Sequence, residues 1–204
     1  MGARRKFVGI AAASMLVLTG AMGTAQAAPA TVTNKNLPTM AEVVKAVPQL
    51  KGGVASKEKS RTYDGPGKKC TGSKKTKADA GRMAVYMPDF EAEVMQDTFV
   101  MVHTLKFANK AKAKAIIADV KRYAKRCSGK VYDGAKSSKL TLPKIGDERA
   151  GLAMHMKGEG PEMRANLVVT RKGRTLVQVI QMGGDKPAKS QTVAVAKVAL
   201  KRSR

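Results

Sequence analysis

The sequence predicts an α+β domain, a twisted antiparallel sheet packed with helices and tied by one disulfide. Three observations carry that expectation. Residues 107–127, FANKAKAKAIIADVKRYAKRC, set Ile116, Val120, Tyr123 and Cys127 on one stripe at helical spacing, with Ala124 beside it. Residues 163–171 and 174–182 read as two strands joined at Lys172–Gly173, where the glycine is free to take a positive φ. The segments run helix, strands, helix, strands, helix, and consecutive strands lie close enough in sequence to pair antiparallel.

The totals bound the rest. The chain has 204 residues, 39 Lys and Arg against 15 Asp and Glu, and a net charge of +24. Hydrophobic residues make up 43%, enough for one core, but with four Tyr, four Phe and no Trp that core must rest on Val, Leu, Ile, Ala and Met. Such a charge suits an anionic partner (nucleic acid, membrane or wall polymer) or a solvated basic surface, and the compartment decides between them.

Arg4, Arg5 and Lys6 precede an apolar run over residues 7–18, and small residues follow up to Ala25-Gln26-Ala27. This is the pattern of a secretory signal peptide, and the run is short of the roughly 20 residues that span a bilayer. Residues 1–27 are therefore expected to be removed, leaving a secreted or wall-retained chain with no later membrane span. Taking away those three basic residues leaves 36 against 15 acidic, a net of +21, so the charge belongs to the mature protein.

In order, residues 28–38 read as a flexible lead-in to a single domain over 39–204. Thr39 caps a short helix ending at Val47, with Glu42 at the capping-box position. Residues 51–77, rich in Lys, Gly and Ser, read as a long surface loop held at Cys70. Strands are expected over 82–87 and 98–105, then the central helix, a turn-rich stretch over 131–139, a short strand at 140–142 and a strand over 149–156. A connection at Lys172–Gly173 sets Val169 opposite Leu176 and Asn166 opposite Val179. One hairpin face then carries Ala165, Leu167, Val169, Leu176, Gln178 and Ile180, suited to a helix. The other carries Arg164, Asn166, Val168, Thr170, Thr175, Val177, Val179 and Gln181, a mixed face suited to a groove or to water. A last helix over 187–200 has basic residues at its end, which suits the helix dipole.

Four features recur in a fixed order: a strand ending at Phe107, an Ala-rich helix ending at Cys127, the Gly146-Asp147 turn, and a hairpin with Arg171-Lys172-Gly173-Arg174 at its tip. In this the chain resembles the PknH-like extracellular sensor domain of actinobacteria, over roughly residues 40–200. The resemblance implies a twisted antiparallel sheet with helices, a cleft, and ligand binding rather than catalysis at the cell envelope. That family commonly has two disulfides and a Trp before the helix Cys; here there is one cysteine pair, and Tyr123 stands near the place of the Trp.

Two cysteines in an exported chain, Cys70 and Cys127, favour a disulfide clipping the basic stretch to the end of the helix. A thiol site or metal pair lacks a CxxC and a nearby His. Met154-His155-Met156 offers copper-ligand types, but strand alternation sends His155 away from both methionines; no metal and no cofactor is expected. G-x-S-x-G, H-E-x-x-H and P-loop patterns are absent, so an enzyme is the less favoured class. The first expectation is a secreted, non-enzymatic binding domain whose sheet-face cleft takes a small or amphiphilic ligand through His103, His155, Asn166 and Gln181. The second is a basic interaction protein held by charge at anionic wall polymer or lipid headgroups. A hydrolase using His103 or His155 comes third. Nucleic acid is not expected, because the basic loop offers Tyr63 as its one aromatic platform.

Overall fold

The computed structural model describes residues 31–67, 70–91, 97–132, 134–157 and 161–203. The expected signal peptide over 1–27 and the start of the 28–38 segment lie outside the described residues. The fold is α+β, with a large antiparallel sheet packed against three helices. The helices are α1 (Met40–Ala46), α2 (Lys110–Cys127) and α3 (Lys189–Arg202). The strands are β1 (Val54–Lys59), β2 (Thr62–Pro66), β3 (Ser73–Lys77), β4 (Ala80–Met87), β5 (Phe99–Lys106), β6 (Val131–Tyr132), β7 (Ala135–Lys139), β8 (Glu148–Met156), β9 (Met163–Lys172) and β10 (Thr175–Gly183). Eight strands form one sheet in the order β1-β4-β5-β10-β9-β8-β7-β6, and β2 with β3 forms a separate hairpin. Among the described residues no helix is long and apolar enough to cross a membrane.

Each sheet face buries one apolar set, as strand alternation requires. On one face Val100, Val102, Val168, Val177 and Val179 meet Val193, Ala196, Ala199 and Leu200 of α3 and Val43 of α1. On the other, Leu105, Leu152, Leu167, Val169 and Leu176 meet Ala113, Ile116, Ile117, Val120 and Ala124 of α2. Cys70 and Cys127 are disulfide-bonded, Cα atoms 5.6 Å apart. Thr39 and Glu42 form the capping box: the Thr39 hydroxyl accepts from the Glu42 N–H (3.3 Å) and the Glu42 carboxylate from the Thr39 N–H (2.8 Å). Arg202 at the end of α3 donates to the same carboxylate (2.6 Å), closing α1 onto α3.

Four local expectations are corrected. The lead-in is packed at its end: Leu37 is fully buried, and Asn36 donates to the Arg202 carbonyl (3.0 Å) and accepts on its own carbonyl from Thr104 (3.4 Å). The loop expected over 51–77 contains three strands. All six β1 side chains are exposed, so no alternation marked that strand; backbone pairing to β4 makes it. The strand expected at 140–142 is one ladder bond, from the Leu140 N–H to the Gly151 carbonyl (3.0 Å), and β7 (Ala135–Lys139) stands just before it. In the hairpin the turn is Gly173–Arg174, not Lys172–Gly173. Gly173 takes φ +58° at the first central position, as a type II′ turn needs, so Val169 pairs Gln178 and Asn166 pairs Gln181. The slip is one two-residue step, which leaves every side chain on its expected face.

Candidate functional site

The expected site residues fall into two places. His103 lies on the α2 side of β5, 3% exposed, its ring Nε2 3.1 Å from the Ser60 carbonyl. A carbonyl only accepts, so Nε2 carries the proton and fastens the corner between β1 and β2. Burial holds the imidazole below its ordinary pKa of 6.5, outweighing the Ser60 hydrogen bond. The unfolded chain then takes up the proton first, so this group's contribution is full above pH 6.5 and falls as the pH drops below it. His103→Gln keeps a donor for Ser60, and its urea midpoint is expected to fall less than the wild type's between pH 7 and pH 5.

Asn166, Gln181 and His155 lie on the opposite face. Asn166 and Gln181 are cross-strand partners buried under the start of α3, 2% and 1% exposed. The Asn166 amide donates to the Pro187 carbonyl (2.9 Å) and to the Thr192 hydroxyl (3.3 Å). Thr192 donates to Gln181 Oε1 (2.8 Å), and Gln181 Nε2 donates to Gln191 Oε1 (2.9 Å). Ala188 gives α3 no side-chain cap, so this chain of polar bonds seats its first turn on the sheet. The mixed face is thus covered by α3 over most of its length.

Beyond α3 the face opens. Strand register sets Lys136, His155 and Arg164 as a row across β7, β8 and β9, and Ser138, Ala153 and Asn166 as the row beside it. The short Ala153 leaves a depression, and Lys186 and Pro187 wall it from the β10–α3 connection. The result is a cleft of about 250 Å³. Lys136 and Arg164 thus bring two positive charges to either side of the His155 ring, and an anion between them supplies the balancing charge. Glu162 at the rim supplies part of that charge. Its carboxylate takes Lys157 (2.8 Å) and His155 (2.8 Å), with Arg164 at 3.8 Å. Hydrogen bonds from Lys157 and then His155 pull its carboxyl down to about 2. Ser138 shares the cleft, but among the described residues its hydroxyl forms no hydrogen bond to the His155 ring. His155 and Asn166 meet here; His103 and Gln181 do not line the cleft. Arg164 has the parity of the mixed face; Lys136 and Ser138 depend on the β7–β8 register, which the Lys-, Ser- and Gly-rich 131–139 stretch does not reveal, and Lys186 depends on the path of the β10–α3 connection.

A second, larger cleft of about 610 Å³ lies at the open edge of β8, between α2 and residues 139–142. Lys121, Lys125 and Lys139 stand around Ala124, Leu140, Leu142 and Ala150. Among the described residues no group of three or more His, Cys, Asp or Glu side chains is arranged to hold a metal ion.

No family model and no curated protein matches this sequence. Solved structures do, two of them as follows. One is the extracellular domain of PknH from Mycobacterium tuberculosis, at 13% identity and a TM-score of 0.52, covering 82% of this chain and 92% of that one. The other is LpqN from the same organism, described as involved in cell envelope biogenesis, at 12% identity and a TM-score of 0.28, covering 73% of this chain and 80% of that one. The fold implied by the sequence resemblance is the fold observed: this chain is built like the extracellular domain of PknH.

Proposed function

We propose that the protein is an extracytoplasmic, non-enzymatic binding domain of the cell envelope that holds a small anionic ligand in the cleft at the ends of β7, β8 and β9. The observation that carries this reading is the row Lys136, His155, Arg164, with Lys186 closing it and no carboxylate among the residues that line the cleft. Lys136 and Arg164 on a rigid sheet supply charge-assisted hydrogen bonds to a carboxylate or phosphate placed between them. Residues 1–27 act as the signal peptide, and the Cys70–Cys127 disulfide suits the oxidising compartment it leads to. The PknH structure, an extracellular domain of the same fold, supports that location. Glu162 holds the place of the anion until ligand arrives.

Native mass spectrometry of the protein secreted by its own host tests this reading. The expected result is a discrete anionic adduct that leaves on denaturation and is lost from a Lys136→Ala/Arg164→Ala variant. Both side chains reach solvent, so the variant is expected to keep the wild-type thermal midpoint. Glu162→Gln is expected to bind the same ligand a few-fold more tightly, in keeping with the modest worth of exposed ion pairs. A bare protein mass, or an adduct indifferent to Lys136 and Arg164, rejects the cleft as the site.

A further inference from the structure

The outer surface of α2 is a second charged feature that the cleft does not use. Its apolar stripe, Ile116, Ile117 and Val120, is spent on the sheet. The remainder carries Lys110, Lys112, Lys114, Lys121, Arg122, Lys125 and Arg126, all exposed, on an 18-residue helix about 27 Å long. Lys110, Lys114, Lys121 and Lys125 fall on one line, with about 6 Å of rise within each end pair. Lys112, Arg122 and Arg126 form a second line toward the β2–β3 hairpin. That hairpin adds Lys74, also exposed, while strand alternation turns Lys75 and Lys77 to its other side. One carboxylate, Asp119, belongs to α2, and it is taken by Lys74 (2.7 Å) and Arg122. Glu148, which borders the first line, is taken by Arg171 (2.6 Å). Hairpin and helix are locked together by Cys70–Cys127, by the Tyr123 hydroxyl on the Cys70 carbonyl (3.4 Å), and by Tyr63 buried between them. The cations therefore sit on a fixed frame, so binding orders little more than their own side chains.

We infer that this face docks a linear phosphodiester polymer of the cell wall, gripped through successive backbone phosphates. The chemistry selects among polyanions. A membrane-surface helix needs large apolar residues on its exposed side, and α2 exposes nothing apolar larger than Ala there. Base recognition needs exposed aromatic platforms, and Tyr123 is half-buried with its hydroxyl engaged. What remains is a ladder of ammonium and guanidinium groups matched to a repeating charge without bases or acyl chains.

The probe is a defined poly(glycerol phosphate), with binding to the full mature protein measured against salt. Lys114→Gln/Lys121→Gln/Lys125→Gln removes three charges from the face. Lys51→Gln/Lys197→Gln/Lys201→Gln removes three exposed charges elsewhere and leaves the same net charge. The α2 triple is expected to bind at least about tenfold more weakly near 0.1 M salt and to flatten the log–log salt slope by about two to three, as the loss of three phosphate contacts requires. The control triple is expected to stay within about twofold of wild type. Equal losses in the two triples would reduce the effect to net charge and overturn the proposal. Absence of polymer binding would do so too, as would anionic phospholipid vesicles binding as tightly through the same lysines. Because the lysines changed lie outside the β7–β9 cleft, failure here leaves the cleft reading standing, and the reverse holds.

Discussion

Removing the Cys70–Cys127 bond is expected to destabilise the protein by about 4 kcal/mol at most, and by no less than about 2. The two cysteines are 57 residues apart in sequence, and the chain entropy released by opening a loop of that size is on the order of 4 kcal/mol. The bond also holds backbone strain: Cys70 sits at φ +67°, the one non-glycine residue with positive φ among those described. Alanine there loses the tie and keeps the strain the wild type already carries, whereas glycine loses the tie and relieves the strain. Cys70→Ala/Cys127→Ala therefore isolates the cross-link, and Cys70→Gly/Cys127→Ala is expected to be about 1 kcal/mol more stable than it. Urea unfolding of the wild type with and without reductant supplies the reference. A loss under about 1 kcal/mol would mean that Tyr63 and the Lys74–Asp119 pair already fix the hairpin to α2, and that the denatured chain gains little freedom from reduction.

The same segment shows where sequence reading works and where it stops. The α2 stripe was legible because a 3.6-residue period survives any tertiary context that buries one side. The β9 and β10 faces were legible for the matching reason, since alternation assigns a face whatever the partner. Register was not, because Gly173 at the first rather than the second turn position shifts every pair by two residues without altering either face. β1 and β3 were invisible: VASKEK and SKKTK bury almost nothing, and their strand character comes from backbone pairing alone. The site suffered most, since a cleft is a property of register. His155 and Asn166 fall in it because parity placed them on the open face. His103 has the parity of Leu105, on the face that α2 covers. Gln181 has the right parity, but α3 covers its position, and helix placement over a sheet is not encoded in the strand itself.

Stripping the two carboxylates from Arg171 is expected to cost about 3 kcal/mol, while removing the whole cluster costs far less. Two sequence landmarks, the Gly146-Asp147 turn and the Arg-Lys-Gly-Arg tip, meet here in space. Gly146 takes φ +61°, and a Cβ there would collide with the Arg171 carbonyl oxygen. That turn brings Asp147 beneath the hairpin tip, where its carboxylate accepts from the Gly173 N–H (2.8 Å) and from Arg171 (3.2 Å). Glu148, the cross-strand partner of Arg171, accepts from its other Nη (2.6 Å). The Arg171 side chain is 10% exposed and the acids are wetter, so desolvation falls mainly on the guanidinium. Asp147→Asn/Glu148→Gln keeps the shapes and the Gly173 acceptor but leaves a buried cation unneutralised, the situation in which a broken pair costs about 3 to 5 kcal/mol; the partial exposure of the acids favours the low end. Arg171→Met/Asp147→Asn/Glu148→Gln removes the charge itself and is expected to recover to within about 1 kcal/mol of wild type. Acid should reproduce part of the double variant. The hydrogen bond from Arg171 holds the Glu148 carboxyl below its ordinary 4.5, ahead of the small opposing effect of burial. Its contribution is therefore full above pH 4.5 and is lost as the pH falls below that value. Urea midpoints of wild type and Arg171→Met should converge over that descent. If the triple variant proves as weak as the double, the cluster acts by bonding the turn to the tip rather than by balancing charge, and Asp147 on the Gly173 N–H becomes the contact that matters.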